Sequence, residues 1–453
     1  MITVDLIFYS LCISYAVVLV SVLYLLRREP LYDPRILFTL SASLWLLIIH
    51  GYMVDFEGYL AAMPGFYTRD KDVLSAMAIG TWLVGYIALI GGASLGVRFR
   101  YRPRSVGFDD HRVLLLVCWV FIIVAVVNFA ANVVLISGGD LFHYLASFAM
   151  RPYDVKEDKG ITAVGYLFGF IGVQFIAYVA GRRRRSRMLM WTLFVGVLIM
   201  LVIRFSQARI FQTLVLVGAC YVCYAMGAAQ RRGFHAPWLR HIHILILAAF
   251  TGIAIYFLRV ASSMNELGVT ITWKTAINFI GQFAHVAFER GNVPNFPVVF
   301  TILDRMPGDV DFFYGKTLFN WAIFFIPKSI LKGDYLISLR IKEIWYQGIE
   351  GGGLPPTAVG EWYANFGFAG VIVGMFLVGL GLGAIYKLAR IVESPFLTVL
   401  WANLVFGFVV IYPKTDLAQI PVYSIFMIAC LWLMTRVVRA SVGRPRGQQA
   451  LLE

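Results

Sequence analysis

Long apolar runs separated by short polar segments recur along almost the whole chain. A helix needs about 20 apolar residues to cross the hydrocarbon core of a bilayer, and we count eleven segments of roughly that length. They lie near 4–26, 35–54, 74–97, 113–136, 161–181, 188–205, 208–229, 242–261, 362–386, 395–413 and 421–438. The first lacks a basic leader and a small-residue cleavage site, so we expect a retained span. The pattern predicts an all-α integral membrane protein with about 11 transmembrane helices, forming a single polytopic domain over residues 1–453.

The loops between these segments alternate in charge. Short loops rich in Lys and Arg occur at 27–35, 98–112, 182–187, 230–243 and 387–390, and the tail after 436 is basic as well. Short basic loops stay on the cytoplasmic side of a membrane. This rule predicts an N-terminus outside and a C-terminus inside, which requires an odd number of spans. The loops at 55–73, 137–160, 262–361 and 414–420 are then on the outer side.

The segment 262–361 is the longest loop and dominates the predicted outer face. It contains apolar stretches that are too short or too polar to span, at 271–290 and 318–331. We interpret them as interfacial or re-entrant helices. Irregular backbone at membrane depth is tolerated only against protein or a water-filled cavity, so the loop implies a cavity that opens outward.

Composition supports this class and limits the chemistry. Hydrophobic residues make up 60% of the chain and charged residues 14%, far from the balance of a soluble domain. The net charge of +14 follows from the basic loops and does not indicate nucleic acid. The Cys220–Cys223 pair lies in an apolar run without a second pair or a histidine, so we expect neither zinc nor redox chemistry. The inner loops are too short for a nucleotide-binding domain, and no P-loop, GxGxxG, HExxH or GxSxG motif occurs.

Three sets of polar residues on the predicted outer face could carry chemistry. Arg204 and Arg209 flank the tight hairpin between the sixth and seventh spans, and an arginine fork suits phosphate, although snorkelling to lipid head groups is the alternative. His285 and Glu289 are four residues apart, with Arg290 next to them, so a helix would place a candidate base beside a carboxylate. An ordinary polar helix face explains them equally well. A basic cluster that includes Lys328 and Arg340 could hold a diphosphate or anionic lipid.

The stretch GGGLPPTAVGEWYANFGFAG, residues 351–370, joins the long loop to the ninth span. We expect that span to begin at Trp362, which puts Glu361 near its first turn, where capping alone could explain a carboxylate. Capping does not explain Tyr363 and Asn365, and together the three side chains suit sugar hydroxyls at a cavity rim. Two G-x-x-x-G spacings follow, at 370–374 and 379–383, and they favour close helix packing.

The segment PPTAVGEWYANFGFAGVIVGMFLVGLGLG resembles the closing motif of bacterial oligosaccharide repeat-unit polymerases, the Wzy-type O-antigen polymerases. The segment FFIPKSILKGD is similar to that family's Ile-Pro-Arg stretch, with Lys328 where an arginine is usual. RFSQAR resembles a family segment weakly, because a glycine is absent. The topology, the position of the long loop and the chain length resemble the family over most of the sequence.

The resemblance implies glycosyl transfer at the periplasmic face of a bacterial inner membrane. A growing glycan on undecaprenyl diphosphate would move onto a new lipid-linked repeat unit, with no metal, cofactor or nucleotide sugar, and a chain-length regulator is a candidate partner. The diphosphate-binding cations would be Arg204, Arg209, Arg290, Lys328 and Arg340, the candidate bases His285, Glu289 and Glu361, and the sugar ligands Tyr363 and Asn365. An O-antigen ligase, a lipid-linked oligosaccharide flippase and a non-catalytic scaffold for envelope assembly are the alternatives.

Overall fold

The computed structural model describes residues 2–54, 68–101, 111–140, 160–183, 187–206, 210–233, 237, 296–318, 337–345, 356–411 and 419–442. Within these ranges the chain forms helices and turns and no strand. The helices are α1 (Ile2–Leu25), α2 (Pro34–Val54), α3 (Lys71–Arg98), α4 (His111–Ser137), α5 (Gly160–Arg182), α6 (Arg187–Ser206), α7 (Ile210–Arg232), α8 (Phe296–Arg305), α9 (Ile337–Trp345), α10 (Thr357–Val392), α11 (Pro395–Phe406) and α12 (Gln419–Val442), with a π-helical turn at Gly407–Ile411 after α11.

Helices occupy ten of the eleven apolar segments predicted from the sequence, and the eighth, 242–261, lies outside the described residues. In the part of the chain that the structure describes, four helical stretches are long and apolar enough to cross a membrane: Ile7–Leu25, Val73–Arg98, Arg112–Leu135 and Thr357–Val392. Their outer faces are also apolar, since Val20 is 67% and Leu135 is 81% exposed. Such faces are stable against lipid and not against water. The chain is therefore an all-α protein of the membrane-embedded class, while the count of eleven spans and the orientation stay predictions.

The chain divides into two compact units. The first comprises Met1–Arg100, Ala236–Lys387 and Val405–Pro421, and the second comprises Tyr101–His235, Leu388–Leu404 and Val422–Glu453. The sequence-based prediction of a single polytopic domain is not tested by this division.

In the first unit, α3 and α10 pack closely and run in the same direction. Glycines on the two helices face the backbone of the partner: a Cβ at Gly92 would overlap the carbonyl of Phe376, and one at Gly379 would overlap the carbonyl of Leu89. Gly96 and Gly383 repeat this arrangement one turn later. The predicted G-x-x-x-G packing at 379–383 is thus present, and its partner is a second G-x-x-x-G spacing on α3.

A sharp break divides α10 into a first arm, residues 357–365, and a second arm, residues 368–392. The backbone leaves the helical region at Phe366 and at Gly367, where φ is 63° and ψ is −155°. That combination is essentially restricted to glycine. The first arm folds back on the second, because Val359 of the first arm and Val371 and Met375 of the second border the same space beside Gly85.

The predicted start of this helix at Trp362 is wrong. The helix begins at Thr357, directly after Pro356, and the Thr357 hydroxyl accepts a hydrogen bond from the Gly360 N–H at 3.5 Å. A hydroxyl at this position caps the first turn. Glu361 is therefore the fifth residue of the helix, outside its first turn, and helix capping does not account for it.

In the second unit, α5 packs against α4, α6 and α7. Gly181 on α5 and Gly227 on α7 allow the parallel backbones of these two helices to meet. The Tyr178 hydroxyl contacts Gln230 Oε1 at 2.7 Å, so the ends of α5 and α7 lie side by side. Deeper in the unit, the buried amides of Gln174 and Asn403 bond to each other, at 2.6 Å in the shorter contact.

Candidate functional site

The first arm of α10 ends against a turn formed by residues 312–317, and Asn365 joins the two. Its amide nitrogen donates to Thr317 Oγ1 at 2.7 Å and to the Glu361 carbonyl at 2.8 Å, and its amide oxygen accepts from the Gly315 N–H at 3.0 Å. The side chain is fully buried. Both N–H groups and the oxygen of the amide are thus bonded to protein.

The same turn also caps the first arm through its backbone. The Phe313 N–H donates to the Ala364 carbonyl at 3.0 Å, and the Tyr314 N–H donates to the Asn365 carbonyl at 3.0 Å. The last carbonyls of a helix lack partners within the helix. The 312–317 turn supplies these partners at the point where α10 breaks.

Apolar packing fixes the first arm against the two short helices of the predicted long loop. One core cluster contains Val298, Ile302 and Met306 from α8 and the segment after it, Ile337 and Ile341 from α9, and Ala364 from α10. The half-buried Tyr363 packs at the edge of this cluster, and its ring meets Phe312 edge to face with centroids 6.0 Å apart. The motif that resembles the polymerase family is therefore packed on residues of the long loop.

A buried carboxylate, Asp304, connects the end of α8 to the segment that leads into α3. It accepts hydrogen bonds from the Thr68 N–H at 2.6 Å, the Thr68 hydroxyl at 2.7 Å and the Arg69 N–H at 3.1 Å. The guanidiniums of Arg69 and Arg305 lie 3.9 Å and 3.6 Å from its oxygens. A buried carboxylate is stable only with such partners. Asp304 thereby joins two segments that the charge pattern assigns to the same side of the membrane.

Arg69 presents a cation beside the aromatic residues of this assembly. Its side chain is 46% exposed, and its Nη1 lies 3.5 Å from the Leu303 carbonyl. An arginine held by a buried carboxylate is positioned in advance for an anionic group. The arrangement can bind a phosphate oxygen at the surface next to an aromatic ring.

A small cavity lies beside the start of the first arm. Its volume is about 50 Å³, room for a few water molecules and not for a sugar. Its lining includes Tyr15, Ser41 and Tyr86, and the Tyr86 hydroxyl is 2.7 Å from Thr39 Oγ1. The remaining lining is Phe38, Ala42, Trp82, Leu89, Ala358, Met375, Val378 and Phe408.

Four of the residues that the sequence singled out can be placed with their side chains. Glu361 is buried in the first arm at 1% exposure, and Asn365 is buried beneath the 312–317 turn. Tyr363 lies between them in sequence and contacts Phe312. Arg340 is exposed on α9 and pairs with Glu343 at 3.1 Å. Their roles as base, sugar ligands and diphosphate ligand stay predictions, although the buried contacts of Asn365 give it a structural function.

The remaining candidates are not placed. Arg204 lies in the last turn of α6, and the structure describes its backbone but not its side chain. Five others lie outside the described residues altogether: Arg209, His285, Glu289, Arg290 and Lys328. Within the described ranges no group of three or more His, Cys, Asp or Glu side chains could hold a metal ion.

Sequence reasoning missed Asp304, Arg69 and Arg305. Their position in the sequence could have marked them as candidates, because each borders an apolar segment in a loop predicted on the outer face. Their pairing joins residues 235 apart in the chain, so no local pattern reveals it. Comparisons with family models, with curated proteins and with solved structures found no match for this chain.

Proposed function

We propose that this protein polymerises undecaprenyl-diphosphate-linked oligosaccharide repeat units at the periplasmic face of a bacterial inner membrane. The observation that carries the proposal is the packing of the first arm of α10. The segment from Pro356 to Gly367, which resembles the family's closing motif, folds back and packs on α8, α9 and the 312–317 turn. The motif and the long loop thus form one structural element, as a shared active site requires.

The relative directions of the helices support the alternation of spans in the proposed topology. In the first unit α3 and α10 run parallel, and in the second unit α5 runs parallel to α7 and antiparallel to α4 and α6. Strict alternation across a membrane predicts each of these directions. The bond between Asp304 and Thr68 also joins the loops at 55–73 and 262–361, both assigned to the outside.

In the proposed reaction a hydroxyl of the acceptor sugar attacks the anomeric carbon of the donor glycan, and the bond to the lipid diphosphate breaks. The cations Arg204, Arg209, Arg290, Lys328 and Arg340 are the candidates that stabilise negative charge on the leaving diphosphate. The hydroxyl proton passes to a base, His285 or one of the carboxylates Glu289 and Glu361. Tyr363 and Asn365 are the candidate sugar ligands, and no metal takes part.

Reconstitution tests the proposal directly. Purified protein in liposomes that also contain lipid A core is given undecaprenyl-diphosphate-linked repeat units with EDTA, and the products are separated on a gel. A ladder spaced by one repeat unit supports the polymerase. Transfer to lipid A core, with no ladder, identifies the ligase instead.

A flippase is the second candidate, because α10 is a broken helix with a folded-back arm. Broken helices inside a membrane unit are typical of transporters. The same liposomes distinguish the two functions, since a flippase moves the lipid-linked unit across the bilayer without extending its glycan. Movement without a ladder refutes the polymerase.

A further inference from the structure

Residues 313–316 form a tight turn with an unusual residue at its tip. The Lys316 N–H donates to the Phe313 carbonyl at 3.0 Å, and φ is 49° at Tyr314 and 83° at Gly315. Positive φ at both central positions defines a type I′ turn, in which Asn-Gly and Gly-Gly are the favoured pairs. Gly315 fits this rule, whereas Tyr314 is an unfavourable choice because its Cβ crowds the backbone.

The surroundings hold Tyr314 in this conformation. Its N–H and that of Gly315 both bond to Asn365, through the backbone carbonyl and the side-chain oxygen respectively. The Phe366 ring lies 3.0 Å from where a Cβ of Gly315 would be. The Tyr314 ring itself is 65% exposed, so burial does not explain why a tyrosine is present. Unfavourable backbone retained around an exposed side chain is a feature of functional sites.

The groups around Tyr314 suit a carbohydrate. Phe312 meets the Tyr314 ring edge to face, with centroids 6.4 Å apart, and thereby supports it. Asp311 and Lys316 are exposed on either side of the tyrosine in the chain. A pyranose ring has an apolar C–H face that packs on an aromatic ring, and hydroxyls at its edge that need donors and acceptors.

We propose that Tyr314 is a stacking platform for a pyranose ring of the acceptor glycan, with Asp311 and Lys316 binding its hydroxyls. This assignment rests on the proposed function, because that function supplies the glycan. It gives Asn365 a positioning role: the buried amide holds the turn, and the turn presents the tyrosine.

Three variants distinguish the effect of the Tyr314 ring on glycan binding from an effect on folding. Tyr314→Asn removes the ring and introduces a residue that the I′ turn prefers, so the protein should fold at least as stably as the wild type. Tyr314→Phe keeps the stacking face. Tyr24→Asn is a matched control, because Tyr24 is 63% exposed and lies near Arg27, at an end of α1 far in sequence from the turn.

Two measurements are made on each variant in nanodiscs. Saturation-transfer NMR uses the soluble oligosaccharide released by mild acid from the lipid-linked repeat unit of the source cells. The polymerisation assay gives kcat and KM for the lipid-linked acceptor. We expect Tyr314→Asn to abolish the saturation transfer from the protein to the sugar C–H groups. In the polymerisation assay it should raise KM for the acceptor about fivefold to tenfold, with kcat nearly unchanged. Tyr314→Phe and Tyr24→Asn should resemble the wild type.

The outcomes distinguish this inference from the proposed function. Oligosaccharide binding that depends on the Tyr314 ring, without a polymer ladder from the wild type, refutes the polymerase and retains the carbohydrate surface. A ladder from the wild type together with an unchanged KM and unchanged saturation transfer in Tyr314→Asn overturns the inference. Loss of binding in Tyr314→Phe as well as in Tyr24→Asn also overturns it.

Discussion

Replacing Asn365 tests whether this residue holds the fold or binds sugar. In Asn365→Ala the Gly315 N–H, the Thr317 hydroxyl and the Glu361 carbonyl each lose a partner in a buried location. A neutral hydrogen bond contributes about 0.5–1.5 kcal/mol net, and a donor left buried without a partner costs about 1–3 kcal/mol. We therefore expect the free energy of unfolding to fall by about 3 kcal/mol.

The assay is thermal unfolding of the purified protein in detergent, combined with amide hydrogen exchange. A loss of this size lowers the melting temperature by about 6–12 °C for a unit of this size. Exchange should accelerate at Gly315 and its neighbours, whose amides the Asn365 side chain and carbonyl organise. Thr317→Val removes one of the three contacts and should cause about a third of the loss.

Asn132→Ala is the matched control, because Asn132 is also a buried asparagine and donates to the Asn128 carbonyl one turn away in its own helix. It should cost about 1 kcal/mol. The structural role is refuted if Asn365→Ala unfolds at the wild-type temperature with unchanged exchange. Loss of glycan binding in such a stable variant would instead support the direct sugar contact expected from the sequence.

Three further changes test the packing elsewhere. Asp304→Asn should lower the free energy of unfolding by about 2 kcal/mol and speed amide exchange at 68–69, because the acceptor of those amides loses its charge. Gly379→Val should cost at least about 3 kcal/mol in thermal unfolding, because a side chain there meets the backbone of α3. Gln174→Leu should cost about 1–3 kcal/mol by the same measurement, because it leaves the Asn403 amide buried with one fewer partner.

Each of these has a control in the same unit. Asp309→Asn changes a partly exposed carboxylate and should cost under about 1 kcal/mol. Gly381→Ala faces open space and should be neutral or stabilising by up to about 1 kcal/mol. Pairing Gln174→Leu with Asn403→Leu should recover much of the single loss. If Asp309→Asn or Gly381→Ala lowers the free energy of unfolding as much as Asp304→Asn or Gly379→Val does, the role given to that buried residue is wrong. If the Gln174→Leu/Asn403→Leu double variant loses as much stability as the two single variants added together, the two amides do not stabilise each other.

The positions of the helices could be predicted because hydropathy is a local property. Runs of about 20 apolar residues identified every helix of that length in the described part of the chain, and the G-x-x-x-G spacing at Gly379 and Gly383 correctly indicated packing. The sequence does not identify Gly92 and Gly96 as the partners of Gly379 and Gly383, because a G-x-x-x-G spacing does not indicate which other helix packs against it.

The candidate site was less predictable, because its geometry depends on contacts between distant segments. The sequence predicts that a span begins at Trp362, but the Thr357 cap and the break at Gly367 instead create an arm. Asn365 has the chemistry of a sugar ligand, and only its position beneath the 312–317 turn reveals that the amide is occupied. Nothing in the local sequence around Asp304 indicates that Thr68 is its partner.

The break in α10 also resolves a mismatch of length between helix and bilayer. A continuous helix of 36 residues would measure about 54 Å, whereas the hydrocarbon core is about 30 Å thick. With the first arm folded back, the second arm is about 37 Å long, which a moderate tilt accommodates. Gly367 therefore sets where the second arm ends and the first arm turns back beside it. A residue that straightened α10 would force apolar surface into water or polar ends into lipid.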